Sequence, residues 1–440
     1  MTSSTRSSVR PAPAASADHW STGAGSNGPA SDGSSGPPPR GRSPRSRSPW
    51  WRFGFPIALV VLILAIPVLV WSGARVVLDS NDGKLVRRVT DPEAPGWEAV
   101  LEPTPTELVL LLDSRQQLQG ISILILSGDN SGAVLQVPVE TLFLLDGAGE
   151  ISLAFSGFLS EEEGIRAGLG QLLRLSFAST QVIRTDEWAS LVAPVSPLTI
   201  SSPDAAVDAT GAVVFPKGSI QIRADQVAAY LSARGPTETD VARLVRTEAF
   251  WRAWLVATAN AGLSSVPPPA DQGLGRFLVA LSQGQVRFVT LPVTEASPGP
   301  PELYRAPPAV AAATVAALVP FPVGPPGMRP TVRVLDGTGR LDHGETAAVS
   351  LGAAGAQVEV IGNAASFDEP ITQLVYFDDT TRAEAERLRV ALGVGQVVRS
   401  SERSSVDITI ILGADAIGVP GIAPPAGASA TRGGTGGPGG

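Results

Sequence analysis

The sequence predicts an α/β protein: a larger α/β unit with a central mixed sheet, a smaller α/β unit after it, and a membrane anchor in front. Three observations predict this. Residues 53–73, FGFPIALVVLILAIPVLVWSG, carry no charge over a length that spans a bilayer. From residue 107 onward, dense apolar runs bounded by turn residues alternate with segments of helical spacing. Composition changes sharply at both ends, where Ser, Pro, Gly, Ala and Arg replace large apolar side chains.

Along the chain, residues 1–52 read as a disordered basic tail, because too little apolar surface is available to offset ordering entropy. The tail holds seven Arg against Asp18 and Asp32, although the 440-residue chain has a net charge of −8. The remainder is therefore strongly acidic, which argues against nucleic acid as a partner. Residues 53–73 read as one transmembrane helix, with Trp50, Trp51 and Trp71 at interfacial positions. Arg40, Arg42, Arg45, Arg47 and Arg52 precede the span, and Arg75 follows it, with Lys84, Arg87 and Arg88 further on. The positive-inside rule then puts the N-terminus in the cytoplasm and the folded bulk outside the cell membrane.

Residues 74–103 read as a stalk with one hairpin about Asn81-Asp82-Gly83. The larger unit covers 104–319. ELVLLLDS, GISILILSG and AVLQVPVETLF read as buried strands. Ser160 and three glutamates open a helix carrying Ile165, Leu169, Leu172 and Leu173. SIQIRADQVAAYLSAR gives a strand and a helix, and a longer helix runs from about Thr239 to Ala261. RFLVAL and VRFVTLPV close the unit before the helix-like PAVAAATVAALV. Residues 320–330 are a Pro-rich linker. The smaller unit, 331–416, alternates TVRVLD, an Ala-rich helix, QVEVIGN, QLVYF, TRAEAERLRVAL and DITIILGAD. Residues 417–440 read as a disordered tail.

The chemistry is bounded by what is missing. The chain has no Cys and two His, His19 and His343, which excludes thiol catalysis, disulfides and most zinc sites. His343 reads as an exposed loop residue. The clearest candidates are Arg234, then Asp240, Arg243 and Arg246 at a spacing of three on one helix side. Guanidiniums so placed suit a phosphate or pyrophosphate; on spacing alone a solvated helix face with one internal ion pair is the favoured reading. Asp113-Ser114-Arg115, directly after a buried strand, reads either as a strand-end ligand or as a turn.

These residues carry a resemblance. Residues 104–320 resemble a LytR–CpsA–Psr domain. The stretches VRVLDGTGR, VIGNAASFDEPITQLVYF and VDITIILGAD resemble the LytR C-terminal domain, in the actinobacterial layout of tail, span and external domains. The resemblance implies transfer of a glycan polymer from polyprenyl pyrophosphate to peptidoglycan or a related wall acceptor, with Mg²⁺ and arginines on the pyrophosphate. It implies catalytic roles for Asp113, Arg234 and Arg243, pyrophosphate binding by Arg115, Arg234, Arg243 and Arg246, and metal binding by Asp113 and Glu140. It also implies an apolar groove for the lipid chain.

Four positions lose the functional group of the pattern. Ser232 and Val139 stand where arginines are expected, Thr247 where a Gln is, and Gly120 where a second metal carboxylate is. Glu140 replaces an Asp. Removing one preorganised charge contact costs about 2.7–4 kcal/mol in catalysis. The reading is therefore a degenerate, non-catalytic envelope protein, a pseudoenzyme that has lost Mg²⁺ and binds a lipid-linked glycan, a wall polymer or an assembly partner. The alternative is a Mg²⁺-dependent glycopolymer transferase. A DNA-binding regulator is opposed by the acidic bulk and the lack of a helix-turn-helix.

Overall fold

The computed structural model describes residues 80–81, 84–85 and 89–419, apart from 129, 130, 146, 148, 300, 341 and 342. The span read at 53–73 and both tails lie outside the described residues, save for 417–419 at the start of the C-terminal one. Among the described residues, no helix is long and apolar enough to cross a membrane.

Strands β1 (Ser80–Asn81) and β2 (Lys84–Leu85) pair antiparallel, as the hairpin reading expects. β3 (Glu98–Val100) follows. β4 (Thr106–Leu112), β5 (Leu118–Gly128) and β6 (Ser131–Val137) form an antiparallel meander. Their side chains alternate between two cores. Leu108, Leu110, Ile121, Ile123, Ile125 and Leu135 enter one, and Val109, Leu111, Leu124 and Val134 the other. Burial on both faces explains the continuous apolar runs. The run AVLQVPVETLF is two strands rather than one. Pro138 has no N–H to continue a ladder, and the chain leaves β6 for a second sheet at β7 (Thr141–Leu145), paired with β8 (Gly149–Ser152).

Helix α1 (Leu153–Leu173) is interrupted at Ser160 and Glu161, which leave helical geometry. The helix expected from Ser160 is thus its second half, and a first half, Leu153–Leu159, precedes it. β9 (Ser179–Arg184) runs parallel to β4. After α2 (Trp188–Val192), strands β10 (Leu198–Ser202), β11 (Ala206–Val207), β12 (Val213–Phe215) and β13 (Gly218–Ile222) form two small antiparallel pairs. Then come α3 (Val227–Ser232), α4 (Asp240–Ala261) and α5 (Gly273–Gln283), which contains the run RFLVAL. β14 (Gln285–Thr290) completes the central sheet, in the order β14-β6-β5-β4-β9. β15 (Thr294–Ser297) and β16 (Leu303–Arg305) join β7 and β8. Helix α6 (Pro308–Leu318) packs with α1 on one face of the central sheet, while α4 and α5 cover the other.

The C-terminal sheet is built from β17 (Thr331–Asp336), β18 (Gln357–Asn363), β19 (Gln373–Tyr376), β20 (Gln396–Arg399) and β21 (Ile408–Leu412). Helices α7 (His343–Ala353) and α8 (Arg382–Leu392) supply Ala347, Leu351 and Leu388 to its core. The strand order is β20-β19-β21-β17-β18-β3. The edge strand β3 therefore comes from the segment read as a stalk. It pairs antiparallel with β18, Val100 opposite Val360. Gly362 permits this approach, because a Cβ there would lie 2.2 Å from the Trp97 carbonyl oxygen. His343, expected on an exposed loop, is only 3% exposed at the start of α7, with Nδ1 3.4 Å from Thr338 Oγ1.

The segment 320–330 is held on both sides. Phe321 N–H donates to Thr104 Oγ1, and Gly324 N–H to Gln357 Oε1. Arg329 is buried here without a carboxylate. Its Nε donates to the Arg174 carbonyl at the end of α1, at 2.6 Å, and its Nη1 reaches the Gly352 and Ala356 carbonyls at the end of α7. Helix C-termini carry partial negative charge, so one cation serves two helices from two units. Burial, with Arg174 and Arg387 nearby, pushes its pKa down to about 10, which still leaves it charged at neutral pH.

Candidate functional site

The candidate residues lie around the start of α4. Thr239 caps this helix, its Oγ1 accepting from Ala242 N–H at 3.1 Å. Asp240 follows and is fully buried. A carboxylate in a first helical turn faces the positive end of the helix dipole. Its Oδ2 accepts from Val139 N–H at 2.8 Å, and its Oδ1 from Arg243 Nη2 at 2.6 Å. Arg243 Nη2 also donates to the Gln119 carbonyl at 2.5 Å. Both arginines one and two turns into the helix are buried, Arg243 at 4% and Arg246 at 1% exposure.

Arg246 is held by a loop residue that the helical spacing could not reveal. Glu238 accepts from both of its terminal nitrogens, through Oε1 and, at 3.1 Å, through Oε2. The Ala233 carbonyl takes a further bond from Nη2 at 2.5 Å. Each buried guanidinium thus faces an internal carboxylate. Arg234 is exposed, and its Nε donates to the Glu238 carbonyl at 3.3 Å.

Asp113 forms a turn. Its Oδ1 accepts from the N–H groups of Arg115 and Gln117, each at 2.8 Å, and its Oδ2 from Gln119 Nε2 at 3.3 Å. Arg115 itself is exposed. Gln119 therefore connects Asp113, through its side chain, to Arg243, through its carbonyl. No periodicity in the sequence points to Gln119, Glu238 or the Val139 N–H.

A narrow cleft runs between the β4–β5 hairpin and the α3–α4 pair. Its lining includes Gln119, Gly120, Ser232, Arg243 and Thr247. Three of the four departures noted in the sequence, at 120, 232 and 247, are brought together here beside a retained arginine. The space amounts to about 20 Å³, close to what one water requires. Leu111 Cδ1 would lie 2.5 Å from a Cβ at position 120, so a carboxylate there has no room without a shift. Behind the cleft, Trp188, Phe250, Trp251 and Trp254 pack with centroids 5.2–5.9 Å apart. The fourth departure, Val139, is buried in the opposite core.

Glu140, next to Val139, lies near Asp240 and Arg234. Burial raises its pKa, a hydrogen bond from Ser152 partly offsets that, Asp240 raises it further, and Arg234 lowers it. Tyr304 is pushed up to about 12 by burial and by Glu302, whose Oε2 accepts its hydroxyl at 2.6 Å. Of the residues named for Mg²⁺, Asp113 accepts from Arg115 N–H, Gln117 N–H and Gln119 Nε2, and Glu140 lies near Asp240, whose oxygens accept from Val139 and Arg243. Among the described residues, no group of three or more His, Asp or Glu stands close enough to hold a metal ion.

Residues 329–415 match the LytR_C family, described as LytR cell envelope-related transcriptional attenuator. The C-terminal unit is thus similar to LytR_C domains. No curated protein matches the chain. Among solved structures, the chain is similar to "TagT bound to LI-WTA" at 13% identity and a TM-score of 0.40, covering 53% of this chain and 93% of that one. It is similar to "LytR-CPS2A-psr family protein YwtF (TagT) with bound octaprenyl pyrophosphate lipid" at 12% and 0.39, covering 53% and 92%. Bacillus subtilis TagV is similar at 11% and 0.39, covering 48% and 94%. The LytR_C-like unit has β17 and β21 at the centre of its sheet and β3 at one edge.

Proposed function

We propose that this is a cell-envelope protein of LytR–CpsA–Psr type, anchored by a single span at 53–73 with its N-terminus in the cytoplasm and its bulk outside. Its larger domain binds a polyprenyl-pyrophosphate-linked glycan or a wall polymer without turning it over. The observation that carries this reading is the state of the two arginines that match the resemblance's pattern: Arg243 and Arg246 are buried against Asp240 and Glu238, beside a cleft with room for about one water. A guanidinium already neutralised by an internal carboxylate has little attraction left for a phosphate, and ligand entry would have to break a buried pair. Contact with an anion then falls to the exposed Arg234 and Arg115. The ligand class is the one that the resemblance implies, and the LytR_C match supports an envelope setting.

The test uses the full chain in detergent micelles with a polyprenyl pyrophosphate and Mg²⁺. The expected result is binding that weakens several-fold in Arg234→Ala, without phosphate release. Phosphate release that is lost in Arg234→Ala would overturn the non-catalytic reading in favour of the transferase. Absence of both binding and release would remove the lipid ligand and leave a protein partner.

A further inference from the structure

The first half of α1 shows an unexplained apolar surface. Phe155, Phe158 and Leu159 occupy positions i, i+3 and i+4 and are 50%, 81% and 53% exposed. The two rings stack with centroids 6.2 Å apart. The opposite side of the same turn is buried through Leu153 and Ser156. Gly157 and Gly164 let the turn fold tightly back on the second half of the helix, since a Cβ at 157 would lie 2.9 Å from Ile165 Cδ1. Between the halves, Glu161 adopts φ 51°, where L-residues are rarely found. The exposed aromatics are therefore fixed outward by a specific elbow. Isolated exposed apolar residues need no explanation, but three on one helix turn mark a contact surface.

We propose that Leu153–Leu159 is a lip that rests in the outer surface of the bilayer. The proposal rests on the anchoring read at 53–73. Fifteen residues, 74–88, separate that run from Val89. Even with β1 and β2 paired, the remaining nine can extend about 30 Å. A domain of this size has a radius of gyration of about 20 Å, so the tether is shorter than the domain is wide and the domain stays close enough to turn the lip to the membrane. The surface protrudes, as 81% exposure of Phe158 requires, and aromatic rings favour the interfacial layer. Glu161, Glu162 and Glu163 flank it, with no cation in the turn, so the attraction is apolar rather than electrostatic. The lip also adjoins the candidate site. Ser152, beside Glu140, caps α1, and Ala154 N–H donates to the Val139 carbonyl at 2.9 Å. Seating the lip would bring the Val139–Glu140 corner to the depth at which a lipid-linked pyrophosphate lies.

The chain has no cysteine, so single labels are unambiguous. Phe158→Cys and, as a control on an exposed turn, Ser401→Cys would each carry an environment-sensitive fluorophore in the full chain, reconstituted into zwitterionic vesicles. The expected result is flotation with the vesicles, blue-shifted emission at 158, and several-fold stronger quenching there than at 401 by nitroxides carried on the lipid. Replacing half the lipid with an anionic one should weaken the quenching. Flotation with a label at 158 that is quenched only by aqueous iodide would overturn the lip alone. So would a label shielded from both quenchers, because protein then covers it. Failure to float would remove the anchoring, and the lip with it.

Discussion

Two of the regions in which this molecule buries arginines do so by opposite means. At the start of α4, Arg243 and Arg246 are compensated by carboxylates, Asp240 and Glu238. Between the larger unit and the LytR_C-like unit, Arg329 has only carbonyls, which close α1 and α7. The first arrangement neutralises charge that an external anion would otherwise have met. The second uses an uncompensated cation to fasten two helix ends. An arginine's spacing in a sequence does not separate the two cases; the identity of its acceptors does.

Substitutions should break the two regions unequally. The largest effect is expected for Arg246→Met. It strands Glu238 in a partly buried position, and removal of one partner of a buried pair costs about 3–5 kcal/mol. Arg246→Met/Glu238→Leu should recover most of that loss, because only the half-exposed Asp204, 3.8 Å from Arg246 Nη1, then loses its cation. Chemical denaturation followed by the emission of Trp251 and Trp254 would read both. A double variant as unstable as the single one would show that packing, not charge, holds the site.

Arg329→Met should cost less, about 1–3 kcal/mol, because it leaves carbonyls without a donor but strands no carboxylate. Its effect should also be localised. Protease cleavage within 320–330 should become several-fold faster, whereas cleavage in Arg246→Met should follow global unfolding. Equal acceleration in the two variants would deny Arg329 a specific role at the seam.

The sequence made the regular elements legible where burial is strong and periodic. The runs that became β4 and β5, the long helix α4, and the alternation of the C-terminal unit were all readable from apolar spacing. What escaped depends on distant partners. β3 is three residues of no particular strand character, and only its pairing with Val360–Gly362 makes it a strand. His343 was read as exposed because a lone polar residue after a glycine-rich turn gives no sign of the Thr338 hydroxyl beside it. At the site, Asp240 and Arg243 were legible as an intrahelical pair. The hold of Asp240 on the Val139 N–H spans 101 positions, and that of Glu238 on Arg246 crosses from a loop to a helix. Neither follows a period. The losses at 120, 232 and 247 were visible one by one, but their meeting in a single cleft was not.

The smallest expected effect concerns pH and sharpens the account of the α4 region. Burial, and then Asp240, raise the Glu140 carboxyl above the ordinary carboxylate range, against the partial offsets of Ser152 and Arg234. In the window between the ordinary value and the raised one, the folded state holds more protons than the unfolded state. Stability therefore falls as pH rises through that window. Glu140→Gln should abolish this contribution and leave the protein slightly more stable at neutral pH. Glu107, raised chiefly by its own burial, adds a slope of the same sign, so the difference between wild type and Glu140→Gln is the informative quantity. Melting temperatures measured from pH 4 to 8 would supply it. If Glu140→Gln were instead less stable at neutral pH, the Glu140 carboxylate would be a net contributor to the fold.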